Sequence, residues 1–192
     1  MTTRRWLVRG GIAIVLLLAV LVLAGALGAQ RACAHDPRFA CSPRPASSPI
    51  PITDVAKSWA FYGHLRPGER DVYTIDVAAQ VRVPWNLLVD ARDAANPARP
   101  FATLTTAAGT PVARMDFRRS EPFYEPFSRE HYLSTPDVTL TLQPGRYRIE
   151  VGMRAGDRPQ RYTMAIGTEE RFGLTEIPYV LGTIHRIRSR NY

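Results

Sequence analysis

In EPFYEPFSREHYL, residues 121–133, His131 stands among three carboxylates, Glu121, Glu125 and Glu130, and four aromatic rings. A carboxylate beside an imidazole is a minimal general-base pair, and the same two groups can hold a metal ion. That chemistry would make the chain a hydrolase or a metal-dependent enzyme working from Glu125 and His131. No HExxH helix, nucleophile elbow or phosphate-cradling glycine loop accompanies it. The rings point elsewhere, because aromatic side chains deliver large, oriented contact area to a sugar ring or a protein surface. The preferred reading is a binding segment made of Phe123, Tyr124, Glu125, Phe127, His131 and Tyr132, with no catalytic residue, metal or cofactor. A plainer reading has Phe123 and Phe127 closing an open end of the domain. The two combine if the phenylalanines anchor the segment while Tyr124, His131 and Tyr132 face a partner.

Two further sets of residues could do chemistry. Cys33 and Cys41 enclose CAHDPRFAC, and in an oxidising compartment such a pair closes a small loop as a disulfide. Cys33, His35, Asp36 and Cys41 also offer thiolate and imidazole to zinc or copper, but their spacing matches no common metal motif. His64 falls on the polar phase of its strand, opposite in register to Trp59 and Phe61, and is expected to be exposed.

The compartment follows from the N-terminus. Residues 10–29, GGIAIVLLLAVLVLAGALGA, carry no charge, follow Arg4, Arg5 and Arg9, and at 1.5 Å per residue would span roughly 30 Å as a helix. The basic flank stays inside the cell and sends the rest across the membrane. Small residues near Ala26 and Gly28 leave open whether this helix is retained as an anchor or cleaved. The chain is therefore expected at the cell membrane, single-pass, with its C-terminal domain extracytoplasmic. The net charge of +8 does not argue for nucleic acid, because the excess sits in those first arginines and in Arg186, Arg188 and Arg190 at the other end.

Four segments result: a transmembrane helix over 1–30, a Pro/Ser-rich linker with the cysteine pair over 31–56, a β-sandwich over 57–168, and an amphipathic helix with a basic tail over 169–192. SPRPASSPIP, with its four prolines, reads as an extended spacer. From Trp59 onward the hydrophobic period is two. SWAFYGHL and RDVYTIDV flank RPGE, where Pro67 presets the first turn dihedral and Gly68 accepts the positive one that follows. DVTLTL and RYRIEVGM flank a second Pro-Gly turn at Pro144 and Gly145. WNLLVDA, FATLTT, PVARMD and RYTMAIG complete roughly seven or eight short strands, which predicts a mainly β protein, an antiparallel sandwich or jelly roll.

The two hairpins, of the form L-x-P-G-E-x-D-x-Y and L-x-P-G-x-Y-x-x-x-V, together with the strand order over residues 57–168, resemble the bacterial pre-peptidase C-terminal domain and related jelly-roll modules. That resemblance implies a secreted accessory module that binds or targets rather than catalyses. FATLTTAAGT lacks the acidic residues with which such domains often hold calcium, so no calcium site is carried over. No catalytic domain is expected alongside it, and the aromatic segment 121–133 is an addition to the fold, read here as part of a loop from Phe117 to Pro136.

At the C-terminal end, Ile177, Val180, Leu181, Ile184 and Ile187 fall at helical spacing, with arginines gathered where the helix dipole favours them. The apolar stripe is expected to pack on the sandwich, with a membrane surface or a docked partner as the other reading.

Overall fold

Period-two patterning builds the domain. In the computed structural model, which describes residues 35–126, 128–171 and 177–192, twelve strands and one helix follow the chain. The strands are β1 (Asp36–Phe39), β2 (Ile50–Ile52), β3 (Trp59–Leu65), β4 (Arg70–Val77), β5 (Val81–Asp90), β6 (Phe101–Thr106) and β7 (Pro111–Asp116). They continue with β8 (Glu121–Glu125), β9 (Glu130–Ser134), β10 (Val138–Leu142), β11 (Gly145–Gly152) and β12 (Gln160–Ile166), before α1 (Ile177–Arg188). The N-terminal apolar run and Cys33 lie outside the described residues, and so do the expected membrane helix and the expected disulfide partner of Cys41. Among the described residues no helix is long and apolar enough to cross a membrane.

The strands form two mixed sheets in a sandwich-like arrangement. One runs β1-β3-β12-β5-β9-β8, with β10 also on β5, and the other runs β2-β4-β11-β6-β7. Inward residues of both, among them Trp85, Leu87, Met164, Leu104, Leu142 and Ile149, make one core. Both Pro-Gly turns form, but neither closes the expected hairpin: each carries the chain from one sheet to the other, from β3 to β4 and from β10 to β11. Instead β4 and β11 pair antiparallel with each other from Val77↔Gly145 to Arg70↔Gly152.

Two further expectations need correction. The sheets are not wholly antiparallel, because β1 pairs parallel to β3 and β2 parallel to β4. Both added strands come from the stretch read as a linker. Its prolines block helix but not edge pairing, so the segment lies along β4, where Arg44 bridges Asp71 in register. The 117–136 segment is likewise no loop. It is a hairpin, β8–β9, and β9 with β10 forms one interrupted run beside β5. At the interruption Thr135 N–H donates to Leu87 O at 2.9 Å and its Oγ1 accepts the Leu87 N–H at 3.0 Å.

The outer face of the seven-stranded sheet is covered as well. Ala60 and Tyr62 of β3 are buried with Ile187 of α1, and Phe39 and Tyr192 pack around them. The helix therefore packs on the sandwich. Leu88, Tyr132 and Ala165 form an adjoining patch on that face.

Candidate functional site

The hairpin β8–β9 is where the sequence placed its candidate residues, and its register decides what they can do. Phe123 pairs with Tyr132, Tyr124 with His131 and Glu125 with Glu130. Directly opposed residues share a face and neighbours along a strand alternate, so Tyr124 and His131 lie on one face while Phe123, Glu125 and Tyr132 lie on the other. Glu125 and His131 therefore point to opposite sides of the ribbon, and the expected general-base pair is not formed. Among the described residues no group of three or more histidine, cysteine or acidic side chains could hold a metal ion.

The burial of the rings also differs from expectation. Phe123 is 40% exposed and Tyr124 47%, whereas Tyr132 is 4% and Glu125 8% exposed. His131 is exposed, its ring 4.8 Å from that of Tyr124 and tilted by 43°. Tyr132, expected to face a partner, is instead the anchor: it lies over β5 and β12 with Leu88 and Ala165, and Phe123 takes the exposed role. Phe127 lies outside the described residues. Burial pushes the Tyr132 hydroxyl up to about 12, offset in part by hydrogen bonds with Ser128 and Tyr62. Pro122 is compatible with β8 because that strand ends its sheet and one side of it faces no neighbour.

Ion pairs hold the turn end of the hairpin, where Glu130 faces Glu125 across the two strands. Arg92 reaches Asp90 at 2.6 Å and Glu130 at 3.2 Å. Burial pushes the Asp90 carboxyl up, but hydrogen bonds from Arg92 and the charges of Arg92 and Arg190 outweigh it and hold the group below its ordinary range. From α1, Arg188 Nε donates to the Ser128 carbonyl at 2.8 Å, and Arg190 beyond it pairs with Asp93. Two exposed rings, one on each face, thus sit on a ribbon fastened at its turn end and paired along β9 to β5.

A second concavity takes only Cys41, His64 and Arg186 from the residues singled out in the sequence. It is a cleft of about 170 Å³ lined by Phe39, Cys41, Ser42, Tyr62, Gly63, His64, Arg186 and Tyr192. Its walls come from segments read as linker and tail, which is why pattern reading missed it. One signal was present: SWAFYGHL is apolar on both phases, the mark of a strand covered on both faces.

No protein-family model and no curated protein matches the sequence. Matching solved structures include the pre-peptidase C-terminal domain of a collagenase from Bacillus anthracis, 13% identical, covering 68% of this chain and 94% of that one, with a TM-score of 0.39. Others are the periplasmic lysozyme inhibitor PliG of Aeromonas hydrophila, with 10% identity, 69% and 99% coverage and a TM-score of 0.41, and a family 35 carbohydrate-binding module from an environmental isolate, with 14%, 53%, 68% and 0.33. The chain is thus similar to the pre-peptidase C-terminal domain, the family that its two Pro-Gly motifs resemble, and to other β-sandwiches.

Proposed function

We propose that this chain is a non-catalytic binding module: an extracytoplasmic β-sandwich, held at the membrane through residues 1–30, that meets a protein or carbohydrate partner through the β8–β9 hairpin. The observation that carries the reading is the exposure of Phe123 and Tyr124 on opposite faces of a ribbon that is pinned at its turn end and paired through β9 to β5. Rigid mounting matters because a ring already held in place loses little freedom on binding. The amphipathic contact of Tyr124 with His131 suits a partner surface with both apolar and hydrogen-bonding groups. The enzymatic alternative lacks its acid–base pair, and the exposed rings serve recognition without it.

The test is recovery of the partner from envelope membranes by the full-length protein. Truncating an anchoring aromatic costs about 2 kcal/mol or more at an interface centre, so Phe123→Ala with Tyr124→Ala is expected to lower recovery at least about tenfold. His131→Ala is expected to lower it only about threefold, in line with a supporting contact. Unchanged recovery by the double variant overturns the reading.

A further inference from the structure

The cleft between β1, β3, α1 and the C-terminal tail is separate from the hairpin and has the groups of a small-ligand site. We propose that it binds a six-membered ring bearing a carboxylate, with the carboxylate on Arg186 and the ring against the wall made by Phe39 and Tyr192. The volume, about 170 Å³, is well below the ~300–1,000 Å³ of pockets that take drug-sized molecules, and suits a single ring with few substituents.

The state of Arg186 selects the charge. Its guanidinium carbon lies 3.9 Å from the Phe39 ring centroid, so the cation rests on an aromatic face and keeps its N–H edge in plane for a ligand. Nε donates to Asn191 O at 3.2 Å, and no carboxylate among the described residues pairs with this arginine. Arg188 and Arg190 are by contrast committed to Ser128 and Asp93. The outer edge of Arg186 presents two parallel donors, the geometry that takes a carboxylate bidentately. Arg161, 5.9 Å from the Tyr192 ring centroid, adds to the positive field around the cleft.

The remaining walls select a ring with hydrogen-bonding substituents. Tyr192 stacks on Phe39 at 5.8 Å and 27° and meets Tyr62 edge-on at 5.5 Å and 75°, fixing an aromatic corner. Burial, with Arg161 and Arg66 beside it, lowers the pKa of His64, only partly countered by Glu69 and Asp93. The imidazole is therefore neutral at pH 7 and offers one donor and one acceptor to a hydroxyl. The Ser42 hydroxyl is not available, since it donates to Asp71 at 2.5 Å and accepts the His64 backbone N–H at 3.1 Å.

The test uses the full chain in nanodiscs and ligand-observed NMR with four probes: benzoate, D-glucuronate and their uncharged counterparts benzyl alcohol and D-glucose. At least one of the two acids is expected to bind, and at least about tenfold more tightly than its uncharged counterpart. Binding of benzoate alone assigns a planar ring, and binding of glucuronate alone a pyranose. Arg186→Gln is expected to weaken acid binding about tenfold or more, Arg186→Lys to restore only part of it, and Phe123→Ala to leave it unchanged. The proposal is overturned if neither acid binds up to about 10 mM, if the uncharged counterparts bind equally well, or if Arg186→Gln binds like the unaltered chain.

Discussion

Gly63 sits in β3 where no larger residue fits: a Cβ there would lie 2.4 Å from Tyr162 Cε1 and 2.7 Å from its hydroxyl oxygen. The ring cannot step aside, because its hydroxyl donates to Asp71 at 2.6 Å and accepts from Tyr73 at 2.6 Å, and all three residues are buried. Asp71 also accepts the Arg44 backbone N–H at 2.6 Å, and burial raises its pKa in spite of these donors. Gly63→Ala is therefore expected to destabilise the domain by about 1–3 kcal/mol in denaturant unfolding, the usual cost of overpacking. The same substitution beside Tyr162→Leu is expected to cost clearly less than the sum of the two single changes, because the clash is shared. Asp71 and Tyr73 were legible as parts of a recurrent Pro-Gly turn motif. Their partners were not, since Tyr162 lies 91 positions and Ser42 29 positions from Asp71 and local pattern carries no information at that range.

Helix α1 ties together parts of the outer face that lie far apart in sequence. Ile187 packs on Ala60 and Tyr62, and one residue later Arg188 holds the β8–β9 turn through the Ser128 carbonyl. Removing one such charged hydrogen bond at a partly exposed site costs about 1 kcal/mol. Arg188→Ala is accordingly expected to speed hydrogen exchange of the amides at residues 128–130 while leaving the exchange of β4 and β11 unchanged. Protection at the turn that stays as in the unaltered chain would show that β9 alone fixes the hairpin. The helix itself was readable from its apolar spacing and terminal arginines. The hairpin was not read as strands, because Pro122, Pro126 and four charged positions break the alternation that marks β3 or β11. Such residues are tolerated where a strand ends its sheet, a fact of placement rather than of composition.

At the scale of the whole domain, stability is expected to fall as pH drops from 7 toward 5. His35, bonded to Ser58 Oγ at 2.6 Å, has its pKa lowered from 6.5 by burial against the opposing pull of Asp137, and His64 is lowered likewise. A folded pKa below the unfolded one means that the unfolded chain takes up the proton first. The contribution is thus whole above about pH 6.5 and is lost as pH falls through the lowered values. Asp71 acts in the opposite sense, gaining stability as pH falls through its raised value, and Asp90 loses its contribution only below about 3.8. Thermal melting across pH 5–7 checks this, and His35→Gln with His64→Gln is expected to flatten the curve. The antiparallel pairs of the core join segments far apart in the chain, β4 with β11, β3 with β12 and β5 with β10, so the strands were legible but their partners were not. The parallel β1 and β2 likewise required knowing which distant strand they would meet. Those two strands have a further consequence, shared with β7 and β8. Four of the strands that border the two sheets each hold one proline, Pro37, Pro51, Pro111 and Pro122, while β10, paired only to β5, holds none. A proline has no N–H to offer a newcomer, so none of those four edges presents a continuous ladder on which another copy could polymerise. Crowded copies of such a domain are guarded against fibril growth at those four edges and exposed to strand addition at β10.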